Sequence, residues 1–174
     1  MNRVVVSLGS NIDRRNNIRF ALDQLDSRFA DLEFSTVFET RPVGFEGPDF
    51  YNLVAGFSTG HEFTDVRAEL KEIERQAGRE VQEKSYGSRV LDIDILLFGH
   101  QVFRPDYNVP RDEIEKFAYV LKPLSELYPA MEHPVTGQRF DQMWASFDGE
   151  DQCVTVVDID FSPDRSTDRE TGLG

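Results

Sequence analysis

The sequence predicts an α+β fold, a split-βαβ arrangement in which a mainly antiparallel sheet carries helices on one side. Two observations predict it. Four strand-like runs and two helical stripes follow one another in the order β-α-β-β-α-β. The composition, 39% hydrophobic and 29% charged over 174 residues, suits one packed core. A chain of that size buries roughly 70% of its unfolded surface, so it needs no disulfide or structural metal.

Residues 4–8 form a short buried strand, closed by Gly9-Ser10-Asn11. Ile18, Leu22, Leu25 and Phe29 then recur on one face of a helix. Over 34–40, Phe34, Thr36, Phe38 and Thr40 alternate with Ser35, Val37 and Glu39, the period of a strand. Residues 41–48, with two Pro and two Gly, make a loop, and 51–58 a further strand. The second helix starts with Thr64 as N-cap, carries Val66, Leu70, Ile73 and Ala77 as its stripe, and ends with Gly78 at C′. A strongly apolar strand covers 89–98. Beyond Pro105 the pattern gives a helix near 119–127 and a last strand at 154–161. Residues 1–161 are expected to form a single domain, and 162–174, which lack an apolar run, a disordered acidic tail.

The formal net charge is −13, and residues 148–174 hold eight of the 32 acids but two of the 19 bases. Such acidity argues against a phosphate-backbone or anionic-membrane binder, each of which needs a dominant positive field. It leaves room for a small anion held by a local basic cluster. The lone Cys153 rules out an intramolecular disulfide and a cysteine-built metal site. The N-terminal apolar run is too short for a signal peptide, and no stretch nears the roughly 20 apolar residues of a membrane span. A cytoplasmic protein is expected.

The segment Leu91-Asp92-Ile93-Asp94-Ile95 places both aspartates on one strand face, with the aliphatic residues on the other. Two carboxylates one pleat apart repel each other and need a cation or donors to stay charged. They suit Mg²⁺, which completes its shell with water and phosphate oxygens, or else a merely solvated sheet face. Val157-Asp158-Ile159-Asp160-Phe161 repeats the pattern beside the acidic tail and reads as an exposed strand face. The first pair differs in context, because Arg75, Arg79, Lys84 and Arg89 precede it, enough charge to clamp a polyphosphate. His61, His100 and His133 lack metal-ligand spacing and read as turn residues. A second group, Thr40, Pro42, Val43, Phe50, Tyr51 and Asn52, offers aromatic faces, a hydroxyl and an amide to a flat heterocycle.

Together these segments, with Glu39-Thr40-Arg41-Pro42-Val43-Gly44, Pro48-Asp49-Phe50-Tyr51-Asn52 and Val120-Leu121-Lys122-Pro123-Leu124, resemble the 6-hydroxymethyl-7,8-dihydropterin pyrophosphokinase family of the folate pathway. The resemblance runs over about residues 4–140. It implies a ferredoxin-like sandwich that transfers pyrophosphate from ATP to the pterin hydroxymethyl group and releases AMP. By it, Asp92 and Asp94 would hold two Mg²⁺, and Arg79 and Arg89, with Asp94, would serve the transfer. Thr40, Pro42, Val43 and Asn52 would meet the pterin, with Phe50 and Tyr119 on its ring. Glu74, Arg79, Lys84, Arg89, Ile95 and Arg111 would meet the nucleotide. The partners implied are ATP and a hydroxymethyl-dihydropterin, with no nucleic acid and no membrane, and a monomer is expected. The chain departs from the family pattern at Val81, Ser85, Tyr86, Arg111 and Phe117, with Arg111 and Lys116 as compensating charges. A divergent paralogue that binds without turnover is the alternative.

Overall fold

The computed structural model describes residues 1–78, 89–149, 151–159 and 161. In chain order these form β1 (Asn2–Ser10), α1 (Arg14–Arg28), β2 (Ala30–Phe34), β3 (Val37–Thr40), β4 (Phe50–Thr59), α2 (Phe63–Ala77), β5 (Asp92–Phe98), α3 (Glu113–Lys116), α4 (Ala118–Leu127), α5 (Phe140–Ala145) and β6 (Thr155–Val157). The sheet runs β5-β1-β4-β3-β6, with β2 also on β4. Every pairing is antiparallel. Strands β1 and β3 flank β4, and β4 and β5 flank β1, which is the split-βαβ signature.

Helices cover both faces of the sheet, not one as the sequence suggested. Val4, Val6, Leu8, Leu53, Ala55, Phe57 and Ile93 pack against the stripes of α1 and α2. Val5, Val54 and Leu96 face α3, α4 and α5 through Ile114, Val120, Leu124 and Phe140. Strands buried on both sides read as unbroken apolar runs, and the second layer comes from the segment whose pattern was weakest.

Local differences from the sequence reading have physical causes. The expected strand over 34–40 is broken at Ser35-Thr36. Phe34 pairs with Ala55 while Phe38 pairs with Asn52, so one extra residue is inserted opposite β4. Ser35 fills the gap: its N–H donates to the Val54 carbonyl at 2.9 Å, and its Oγ accepts from the Val54 N–H at 3.0 Å. This bulge reverses the alternation, so Phe38 and Thr40 point away from the face that Phe34 shares with Ala55. The cap of α2 is Glu62, with Thr64 inside the first turn, and Gly78 at its C-terminus keeps φ −88°, outside the left-handed region. Strand β5 begins at Asp92 and not at 89, because Arg89 instead exchanges both backbone hydrogen bonds with Asn11 or its side chain. Strand β6 is only Thr155–Val157; Asp158 is exposed beyond its end, and Asp160 lies outside the described residues. Of the histidines, His133 is buried, its Nδ1 accepting from the N–H groups of Val135 and Thr136. No helix among the described residues is long and apolar enough to cross a membrane.

Candidate active site

One face of the sheet is covered only in part. Antiparallel register places Asp92 beside Gly9, Gly9 beside Asn52, and Asn52 beside Phe38, in a row across β5, β1, β4 and β3. Asp94 and Ser7 pair one step along, and Thr40 pairs with Phe50. Paired residues share a face, so all of these project toward the α3–α4 side. Helices α3 to α5 cover the part of that face at Val5, Val54 and Leu96 and leave the rest open. The opening is a cleft of about 380 Å³, walled by loop residues Arg41, Val43 and Phe45 and by Arg111, Glu113 and Tyr119.

At one end of the cleft lies the amide-and-aromatic group. Asn52 and Thr40 are buried, and the Asn52 amide nitrogen donates to Thr40 Oγ1 at 2.6 Å. Phe50 meets Phe45 edge-on, with centroids 6.2 Å apart. Opposite, Tyr119 stacks on Phe117 at 5.1 Å. Burial, followed by the negative charge of Glu113 and Asp94, pushes the Tyr119 phenol up to about 12, so it stays neutral. A fixed amide, a hydroxyl and aromatic walls can recognise a flat heterocycle by edge hydrogen bonds and stacking.

At the other end stand Asp92 and Asp94. Burial, then the charges of Asp94 and Glu74, push Asp92 up to about 6, while Arg89 opposes the shift. The Arg89 guanidinium is 3.7 Å from Asp92, and Arg111 is 3.7 Å from Asp94 and 3.1 Å from Glu113. Two hard oxygen donors with excess negative charge, on a rigid strand and open to a cleft, fit a divalent cation such as Mg²⁺. With only two protein ligands, such a cation would take its remaining ones from water or a bound anion. No group of three or more His, Cys, Asp or Glu suited to a metal occurs among the described residues.

The other expected residues fall as follows. Pro42 lines an adjoining groove of about 620 Å³ together with Val43 and Tyr119. Ile95 lies on the opposite side of β5, in a shallow hollow with Arg67, Lys71 and Tyr107 that Asp94 and Arg111 also border. Glu74 is engaged with the backbone, accepting the Ile93 N–H at 2.8 Å. Lys116 pairs with Asp112 at 2.7 Å, away from the cleft lining. Arg79, Lys84, Val81, Ser85 and Tyr86 lie outside the described residues. Sequence reasoning did not single out Ser7, Arg41, Phe45 or Glu113, which also line the cleft, nor the supports behind it. Asn11 donates to the Pro48 carbonyl at 3.2 Å and accepts from the Arg89 N–H at 2.7 Å, tying the aromatic loop to the start of the aspartate strand. Arg14 bonds Glu39 at 2.9 Å and the Asp49 carbonyl at 3.0 Å and lies 3.8 Å over the Tyr51 ring. Asn11 carried a signal, in the Gly-Ser-Asn turn, whereas Arg14 carried none.

Comparisons with known proteins bear on the family and the fold. The sequence model of the 7,8-dihydro-6-hydroxymethylpterin-pyrophosphokinase family matches residues 5–129. The chain is 34% identical over 138 residues to the 2-amino-4-hydroxy-6-hydroxymethyldihydropteridine pyrophosphokinase of Aquifex aeolicus, covering 78% of this chain and 86% of that one. It is 33% identical over 140 residues to the folic acid synthesis protein fol1 of Pneumocystis carinii, covering 77% of this chain but spanning only 18% of that much longer protein. In fold it is similar to Plasmodium falciparum HPPK-DHPS, with a TM-score of 0.64 and 14% identity over 83% of this chain and 43% of that one.

Proposed function

The chain belongs to the 7,8-dihydro-6-hydroxymethylpterin-pyrophosphokinase family, and from that premise we propose that it transfers pyrophosphate from ATP to 6-hydroxymethyl-7,8-dihydropterin, releasing AMP, in folate synthesis. The observation that carries this reading is the single row Asp92–Gly9–Asn52, which sets a phosphate-side carboxylate and a ring-side amide two strands apart in one cleft.

The pterin lies between Phe50 and Tyr119, with its edge on Asn52 and Thr40. Its hydroxymethyl oxygen then points along the row toward the carboxylates. That oxygen attacks the β-phosphorus of ATP, a new P–O bond forms, and the bond from the β-phosphorus to the α,β-bridging oxygen breaks. AMP leaves with that electron pair, and the hydroxyl proton passes to solvent. Asp92 and Asp94 would hold Mg²⁺, two ions in this reading, and the metal supplies neutralisation of phosphate charge. Arg89, with Arg79, balances charge as the leaving group departs, and Arg111 exchanges Asp94 for a phosphate oxygen. Lys84, Glu74 and Ile95 complete the nucleotide side. Such chemistry needs positioning and charge stabilisation more than a strong base. Residues 1–161 serve as one catalytic domain, acting as a monomer in the cytoplasm.

The test is AMP release from ATP and Mg²⁺ with and without the hydroxymethyl-dihydropterin, against Asp94→Asn. AMP that depends on the pterin and vanishes in the variant is expected. No AMP above that control, across several pterins and nucleotides, sinks the reading. The paralogue that binds without turnover is not favoured, because the family match and the relatives named as pyrophosphokinases point to the enzyme.

A further inference from the structure

We propose that Gln152 is a positioning residue for the ring-binding end of the cleft, and that residues 151–157 strap that end together from beyond the stretch matched by the family's sequence model. The proposal rests on the pterin reading of the cleft given above.

Helices α3 and α4 are separated by one extended residue, Phe117, at φ −123° and ψ 128°. At such a junction the last carbonyls of one helix and the first N–H groups of the next lose their helical partners. No side chain within either helix's own N-cap closes this gap. Gln152, thirty-four residues on, does so: the Ala118 N–H donates to its Oε1 at 2.7 Å, and its Nε2 donates to the Lys116 carbonyl at 3.0 Å. One carboxamide thus bonds the backbone on both sides of Phe117. The next residue along α4, Tyr119, is the cleft wall, and it stacks on Phe117 itself. The angle between the two helices, and with it the placing of the Tyr119 ring, is set by Gln152.

The same segment then reaches the opposite wall. Thr155, Val156 and Val157 pair with Glu39, Phe38 and Val37, one residue short of Thr40, whose hydroxyl receives the Asn52 amide. A single run of chain therefore grips both the backbone that delivers Tyr119 and the backbone that delivers Thr40. Fixing a side chain before its ligand arrives spares the ordering cost at binding. Gln152 is itself exposed, so water can take up the two backbone groups it releases, which keeps the cost to folding small and leaves the loss to be read in ligand affinity.

The experiment measures pterin affinity by calorimetry, in the presence of Mg²⁺ and a non-hydrolysable ATP analogue, for the wild type, Gln152→Leu and Gln152→Glu. Affinity for the analogue alone, thermal midpoint and amide hydrogen exchange of residues 118–121 are measured alongside. In Gln152→Leu the pterin Kd is expected to rise about tenfold, the size of one or two lost hydrogen bonds. Exchange at 118–121 rises with it, while nucleotide affinity and the thermal midpoint hold. Gln152→Glu, which keeps the acceptor, falls between. Unchanged pterin affinity in Gln152→Leu overturns the inference, as does a parallel loss of nucleotide affinity and thermal stability. A wild type that binds no pterin overturns the functional reading and takes this inference with it; a wild type that binds, matched by Gln152→Leu, overturns the inference alone.

Discussion

At the Asn52 end of the cleft, a buried amide is already bonded to Thr40 and flanked by packed rings. At the Asp92 end, burial and the neighbouring Asp94 and Glu74 charges leave a carboxylate pushed up to about 6. Both ends share one sheet face, yet the first is settled before any ligand binds and the second carries, among the described residues, negative charge that Arg89 and Arg111 do not balance. A neutral ring gains from a rigid socket, because little must be ordered on binding. A charged phosphate–metal assembly gains from a site whose own repulsion it relieves.

Substitution at each end should therefore fail in different ways. Asp94→Asn is the largest break: turnover falls about 100- to 1,000-fold, the scale for losing a charge-stabilising group, while pterin affinity in a calorimetric titration stays as in the wild type. Loss of pterin binding in Asp94→Asn would erase the division between the two ends. Asn52→Ala gives the converse. Pterin Kd rises about 10- to 100-fold, because Thr40 loses its partner and the ring its edge contacts, and nucleotide-analogue binding does not move. The smallest effect is on stability. Asp92 takes up its proton at about 6 in the folded protein, against 3.8 for an unperturbed aspartate. The folded state therefore binds more protons between those values, and stability of the metal-free protein falls as pH rises through that window. Above pH 6 the charged form is a standing cost. Asp92→Asn removes it, and because the side chain is partly exposed the gain at pH 7.5 is about 1 kcal/mol after solvent screening, a rise of about 2–4 °C in Tm. Below pH 4 the two melting curves coincide; a variant no more stable at pH 7.5 would show that the carboxylate end is balanced after all.

The sequence was most legible where a single period dominates. The apolar run at Val4 to Val6, the stripes of α1 and α2, and the helix holding Val120 and Leu124 all follow from spacing. So does the shared face of Asp92 and Asp94, which needs only the twofold alternation of a strand. The ring-side residues were less so. Phe34, Phe38 and Thr40 alternate perfectly, yet the inserted residue at Ser35-Thr36 turns the last two to the other face, and no local pattern announces a bulge. The second helical layer was hidden because α3 and α5 are four and six residues long, too short to display a period. The grip of Asn11 on Pro48 and of Gln152 on Ala118 joins residues 37 and 34 positions apart, which no window along the chain can bring together.

Gly9 stands between the two ends, and a methyl group there would come within 3.1 Å of the Asn52 Oδ1 and 3.8 Å of the Phe50 ring. With only hydrogen at that position, no side chain of β1 rises between Asn52 and Asp92, so two reactants seated at the proposed ends would abut as though they were parts of one molecule. Reactions between groups so held proceed as if at effective molarities of about 10⁵ M and above, far beyond any concentration two free solutes can reach. In the pyrophosphoryl transfer proposed for this cleft, the missing side chain would thus contribute rate without touching either substrate's chemistry.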